Sequence, residues 1–128
     1  MREGRALLIR RAAEPLKGEW SIPGGALELG ETLHDGVCRE SLEETGLHVE
    51  PQEVLGVFDR IYPDGAGRIQ YHYVVVDYRC RVLAGEAHAG SDVSEVRWVS
   101  RAELRDLGLR ESIEQVLRKA LDMTRPKT

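Results

Sequence analysis

The chain has 128 residues, 41% apolar and 31% charged, a balance that supports one soluble domain with a real core and is too short for two. Its net charge of -4 argues against a nucleic-acid surface, and no apolar run approaches the length of a membrane span. Only two cysteines, Cys38 and Cys80, and an N-terminus (MREGRALLIRR) without signal-peptide architecture point to a cytoplasmic protein whose thiols stay reduced and take no part in catalysis.

Arg5 to Arg10 reads as a short, largely buried strand. Arg10 and Arg11 end it, either as solvated strand-end charge or with one of them reaching a substrate phosphate. Only Lys17, Lys119 and Lys127 among the 18 basic residues are lysines, and the arginine fork suits phosphate or carboxylate. Glu14 to Gly18 is a loop by its Pro and Gly, and Trp20 to Gly25 leads into the most informative stretch. Gly24 and Gly25 allow a ligand to approach the backbone closely.

Thr32 to Thr45 is predicted to be one helix. Thr32 is its N-cap, Asp35 lies in the first turn where the dipole favours negative charge, and Gly46 supplies the left-handed stop. Glu40, Glu43 and Glu44 fall within about a 100° arc of it, opposite Val37, Cys38, Ser41, Leu42 and Thr45, which are expected to pack on a sheet. Like charges at such spacing cost about 0.2–0.5 kcal/mol per pair on an isolated helix. A solvated acidic face is one reading. A site for hard divalent cations, which take oxygen ligands, is the reading that accounts for the repulsion.

Downstream, Val49 to Ile61 reads as a strand region broken by Pro51 and Gly56. A turn over Pro63 to Gly67 joins it to a strand within Arg68 to Val82, a predicted hairpin. Ala84 to Ser94 reads as a polar loop and Glu95 to Val99 as a strand. Ser100 to Glu103 is a capping box that opens a short helix. Ser112 to Met123 is amphipathic, with Ile113, Val116, Leu117, Ala120 and Leu121 as its apolar face, and Arg125 to Thr128 should fray.

The spacing of Gly25, Glu31, Arg39, Glu40, Glu43, Glu44, Gly46 and Leu47 resembles the box of the Nudix hydrolase family, departing only at Ser41, where the family usually has an aliphatic residue or Ala. The resemblance covers about Arg5 to Leu107. It implies an α/β protein with the Nudix fold, an α/β/α sandwich around a mixed β-sheet, formed as one domain over residues 1–128. It also implies a strand ahead of Arg5. Because only Met1 to Gly4 precede it, that strand is expected to be missing or the chain start shortened.

The implied activity is hydrolysis of a nucleoside diphosphate derivative, with Mg²⁺ or Mn²⁺ neutralising charge at the reacting phosphorus. The implied metal ligands are a backbone carbonyl at Gly24 with Glu40, Glu43 and Glu44, and Arg39 is expected to brace the carboxylates through a fork-shaped ion pair, with Glu31 as a partner. The general base is left open between the box residues Glu40 and Glu43 and the loop residues Asp92 and Glu95.

The box does not select the leaving group. Pro63 lies sixteen positions after Leu47, a spacing that marks the ADP-ribose pyrophosphatase subgroup, although it also initiates its own turn. Tyr62 could stack on a base or ribose, and Arg11 could hold a phosphate. The expected reaction is ADP-ribose to AMP and ribose 5-phosphate. The alternatives are a MutT-like triphosphate pyrophosphohydrolase and, third, a non-catalytic nucleotide-sugar sensor. ADP-ribose-type relatives are often homodimers, so self-association is compatible with the resemblance. The expected partner is the small-molecule substrate, with no nucleic acid and no membrane.

Overall fold

The computed structural model describes residues 1–13 and 16–123. Glu14 and Pro15 of the expected loop, and the expected fraying of Arg125 to Thr128, lie outside the described residues. Three strands make the first sheet: β1 (Ala6–Arg11), β2 (Trp20–Ser21) and β5 (Val93–Val99), with β1 in the centre. The register places Ile9 opposite Ser21 and Leu8 opposite Arg97, with an irregularity at Arg10 and Arg11. β3 (His48–Pro63) and β4 (Ile69–Ala84) form a long hairpin, the second sheet. Ahead of β1, Arg2 and Arg5 make an isolated antiparallel bridge.

The α/β class is as expected, with one difference in detail. Every strand pairing among the described residues is antiparallel, where a mixed sheet was expected. A direct turn joins β3 to β4, and strands so joined can only run antiparallel.

β3 is also continuous through Pro51 and Gly56, where a break was expected. The register shifts there instead, between Pro51 and Val54 and between Val54 and Gly56. A two-stranded ribbon leaves each strand one free edge, which tolerates a residue without an N–H. At the tip, the Asp64 carboxylate accepts from the amides of Ala66 (2.8 Å) and Arg68 (2.9 Å) and fixes the turn.

Both helices pack against the hairpin. α1 (Leu33–Thr45) brings the His34 ring edge-on to Tyr78 and the Cys38 thiol to the Val49 carbonyl. α2 (Glu111–Met123) packs Val116 and Ala120 on Leu55, and Lys119 Nζ donates to the Leu55 carbonyl at 2.9 Å. α2 also closes the first sheet, since Ile113, Leu117 and Leu121 join Ala6, Leu8, Val99 and Leu104 in one buried cluster. All five residues of the expected apolar face of α2 are buried. The capping box at Ser100 opens a 3₁₀ helix, Arg101–Asp106, where the Glu103 carboxylate accepts from the Ser100 amide and hydroxyl.

The buried face of α1 needs one correction. Leu42 is exposed, whereas Glu44 is only 8% exposed and Thr45 is fully buried. On the wheel the packed arc runs from Glu44 through Val37 and Ser41 to Cys38, with Leu42 just beyond one margin and Glu44 just inside the other.

Candidate active site

The site begins with how α1 is held. Thr32 Oγ1 accepts from the Asp35 amide at 3.1 Å, and Gly46 takes the left-handed conformation (φ 75°) while donating to the Leu42 carbonyl at 3.0 Å. The remaining end carbonyls are satisfied from the 84–94 segment. The amide of His88 donates to Thr45, that of Gly90 to Glu44 and that of Ser91 to Glu43, at 2.9, 2.9 and 3.0 Å. A Cβ on Gly90 would lie 1.9 Å from the Glu43 carbonyl oxygen, so only glycine permits this approach. The segment reads as a polar loop in sequence, yet it is the C-terminal clamp of the acidic helix.

Arg39 is the hub of the acidic face. Its guanidinium meets Glu31 in a fork, Nε to Oε2 at 2.7 Å and Nη2 to Oε1 at 3.0 Å. Nη1 donates to Glu40 at 2.9 Å and to Glu43 at 3.2 Å, and Nη2 to the Ala26 carbonyl at 2.9 Å. Glu28 stands 3.6 Å from Nε. These bonds hold the Glu31 carboxyl below its ordinary value, chiefly through the bond from Arg39, and raise Arg39 above its own, chiefly through Glu31.

Glu44 is turned away from this hub. It accepts from the Gly24 amide at 2.7 Å and lies nearly buried. Burial is the main cause that pushes its carboxyl up to about 7; the Gly24 amide opposes this, the Glu40 charge adds to it, and Arg11 and Asp92 act on it in opposite senses. Gly25 lies flat against the Glu40 carboxylate, where a Cβ would come within 2.5 Å of Oε1. The Gly-Gly turn is thus folded directly over Glu40 and Glu44.

The remaining candidates separate. Asp92 is near enough for its charge to act on Glu44. Its φ is 54°, and its carbonyl accepts from the Ala12 amide at 2.9 Å. Glu95 faces Arg10 across β1 and β5, with Arg10 Nη1 to Oε1 at 3.0 Å, and Arg10 also lies 5.8 Å over the Trp20 ring. Arg11 and Tyr62 meet in one recess of about 160 Å³, whose lining also includes Trp20, Arg60, Arg110 and Glu19. Sequence reasoning did not find Arg60 or Arg110, because only folding brings β3 and the residue before α2 beside the end of β1. Pro63, the last residue of β3, is not among the lining residues.

Among the described residues no three His, Cys, Asp or Glu side chains converge at metal-ligand spacing, since Glu40 and Glu43 close on Arg39. The donor set nevertheless suits a hard divalent cation. It is all oxygen, and it includes a nearly buried carboxylate, Glu44, that accepts from the Gly24 amide.

Residues 1–121 match the NUDIX domain family. The chain is similar to an ADP-ribose pyrophosphatase of Methanocaldococcus jannaschii, 36% identical over 97 residues, covering 76% of this chain and 55% of that protein. It is similar to a MutT-like protein of Streptomyces ambofaciens, 37% identical over 102 residues, covering 80% and 59%. The crystal structure of a NUDIX hydrolase from Nitrosomonas europaea superposes with a TM-score of 0.75 at 28% identity, covering 97% of this chain and 66% of that one. The chain therefore spans a little over half the length of these two sequence relatives.

Proposed function

Because the chain belongs to the Nudix family, we propose that it is a Nudix hydrolase, acting as one domain over residues 1–128, that cleaves the pyrophosphate bond of a nucleoside diphosphate derivative with Mg²⁺ or Mn²⁺. The observation that carries the reading is the acidic face of α1, braced by Arg39 and covered by the Gly24–Gly25 turn. The Gly24 carbonyl, Glu40, Glu43 and Glu44 would hold the cation, which supplies charge neutralisation and a more acidic bound water.

The protein's own part is positioning. Arg39 holds Glu40 and Glu43 at one guanidinium, and the Gly24 amide fixes Glu44. Four acids stay in view as the proton acceptor: Glu40, Glu43, Asp92 and Glu95. The ion pair of Glu95 with Arg10 supports Asp92 over Glu95 within the loop pair.

ADP-ribose, cleaved to AMP and ribose 5-phosphate, is the substrate we favour. Its support is Pro63 at the subgroup spacing, Tyr62 and Arg11 lining one recess, and the name of the Methanocaldococcus relative. The MutT-like reading is supported by the arginines of that recess and by the Streptomyces relative. Retention of Glu31, Glu40, Glu43 and Glu44 speaks against a non-catalytic sensor. The deciding measurement is the ratio of kcat/KM for ADP-ribose to that for 8-oxo-dGTP under one metal condition. The expected ratio exceeds one, and a ratio below one moves the chain to the triphosphate branch.

A cytoplasmic location belongs to the same reading, and no helix among the described residues is long and apolar enough to cross a membrane. Self-association as a homodimer is supported by the uncovered Val57, Ile61 and Val74 on the hairpin, and sedimentation at micromolar concentration tests it.

A further inference from the structure

We propose that Tyr71 and Tyr73 of β4, together with Tyr62 of β3, form a stacking surface for the nucleobase of the substrate. From Val57 to Tyr62 the hairpin register is regular, and it sets Arg60 opposite Tyr73 and Tyr62 opposite Tyr71. Side chains alternate between the faces of a strand, so these four share one face. The ring contacts agree. Tyr62 meets Tyr73 edge-on with 6.0 Å between centroids, and Tyr71 stacks beside Tyr73 at 5.9 Å with 15° between the planes. The three rings cover one another only in part, and Tyr62, Tyr71 and Tyr73 stay 40%, 50% and 47% exposed. Single apolar side chains on a surface are ordinary, whereas a contiguous exposed row fits a binding surface. Over the same stretch the other face carries the aliphatic Val57, Ile61 and Val74, so the aromatic row is distinct from the patch that supports self-association.

Continuity with the recess names the occupant. Arg60 and Tyr62 line the recess of about 160 Å³, and Trp20 is a further wall of it. Trp20 packs against the core of the first sheet and lies 5.8 Å from the Arg10 guanidinium, which the Gly18 carbonyl and Glu95 hold in place. Ser21, the last residue of β2, also lies on the lining, three residues before Gly24, a span of at most about 11 Å. The Gly24 amide touches Glu44. The tyrosine row therefore continues onto β4 the wall of a recess that Ser21 ties closely to the carboxylates. A nucleotide whose diphosphate lies at the carboxylates carries one extended flat group, its base, and every base presents a π-face to an aromatic ring. A sugar phosphate carries no such group. Taking a nucleotide as the ligand rests on the function proposed above, but stacking on these rings does not require that a bond be cleaved.

The test compares two probes that differ by the base, AMP and ribose 5-phosphate, titrated by calorimetry into metal-free protein. Wild type is expected to bind AMP about tenfold more tightly or better, the order that base–aromatic stacking supplies. Tyr73→Leu and Tyr71→Leu are each expected to weaken AMP about tenfold and to leave ribose 5-phosphate unchanged, while Tyr73→Phe, which keeps the ring, holds the wild-type affinity. AMP bound no better than ribose 5-phosphate, or equal losses on both probes, overturns the stacking surface. If Tyr73→Leu does not fold by circular dichroism, Tyr71→Leu is read against the same outcomes, and the wild-type comparison stands by itself. With Mg²⁺, Tyr73→Leu is expected to raise KM for ADP-ribose about tenfold with a smaller change in kcat. A fall in kcat at unchanged KM overturns a role in binding. Sedimentation of the same variants checks the other occupant: AMP affinity lost only together with a dimer assigns the row to a second copy and overturns the proposal. A wild type that cleaves no pyrophosphate yet binds AMP through these rings overturns the proposed function and keeps the surface. A wild type that cleaves ADP-ribose while both Leu variants bind AMP undiminished overturns the surface and keeps the proposed function.

Discussion

Glu44 shows what a functional side chain costs the fold that carries it. It is 8% exposed, its hydrogen bond comes from one amide, and burial raises its carboxyl to about 7. In the unfolded chain the same group ionises near 4.5, the ordinary value for a glutamate. The group therefore contributes stability that is fully present below about pH 4.5 and is lost as pH rises through about 7. In excess EDTA, Glu44→Gln is expected to be more stable than wild type at pH 8, by about 3 kcal/mol at roughly 1.4 kcal/mol per unit. The two proteins should converge at pH 4. Thermal melts at both pH values check this, and a difference that does not depend on pH would contradict it. At this scale much of the site was legible, because the spacing of Glu31, Arg39, Glu40, Glu43 and Glu44 is local to one helix and its approach. That Glu44 turns inward and Leu42 outward was not legible, since both stand at the margin of the packed arc.

Elements with a side-chain signature could be read from the sequence, and elements built from backbone bonds could not. Both ends of α1 were legible in Thr32 and Gly46, and the face of α2 in its 3.6-residue period. The clamp on α1 was not, because the amides of His88, Gly90 and Ser91 carry it and amides have no residue code. The continuity of β3 was hidden by Pro51 and Gly56, whose effect depends on which edge of the strand is free. The clamp makes a direct prediction. Gly90→Ala should destabilise the fold by about 2 kcal/mol or more, since the new methyl meets the Glu43 carbonyl. Gly65→Ala, in open space at the hairpin turn, should stay within about 0.5 kcal/mol of wild type. Urea unfolding of the two variants reads the contrast, and equal effects would mean that the 84–94 segment does not need its close approach.

The molecule as a whole brings distant segments to one place. α2 joins the hairpin to the three-stranded sheet through Val116 and Ala120 on one side and Ile113, Leu117 and Leu121 on the other. That arrangement sets Arg60 and Arg110 beside Arg11, a juxtaposition no local pattern encodes. A cation bound only by the folded state should stabilise it by RT ln(1 + [L]/Kd), about 2.7 kcal/mol at a hundredfold excess over Kd. Melting should therefore shift upward with millimolar Mg²⁺ or Mn²⁺ in wild type and shift less in Glu44→Gln. An indifferent melting curve would count against a metal site on α1. The most direct measurement is AMP release from ADP-ribose by wild type and Glu44→Gln, each with Mg²⁺ and with excess EDTA, alongside circular dichroism. We predict release by wild type with Mg²⁺, none in EDTA, and a rate lower by about a hundredfold or more in the folded variant. Full activity in EDTA, or a Glu44→Gln rate equal to wild type, would contradict the assignment of metal-dependent hydrolysis to the acidic face of α1.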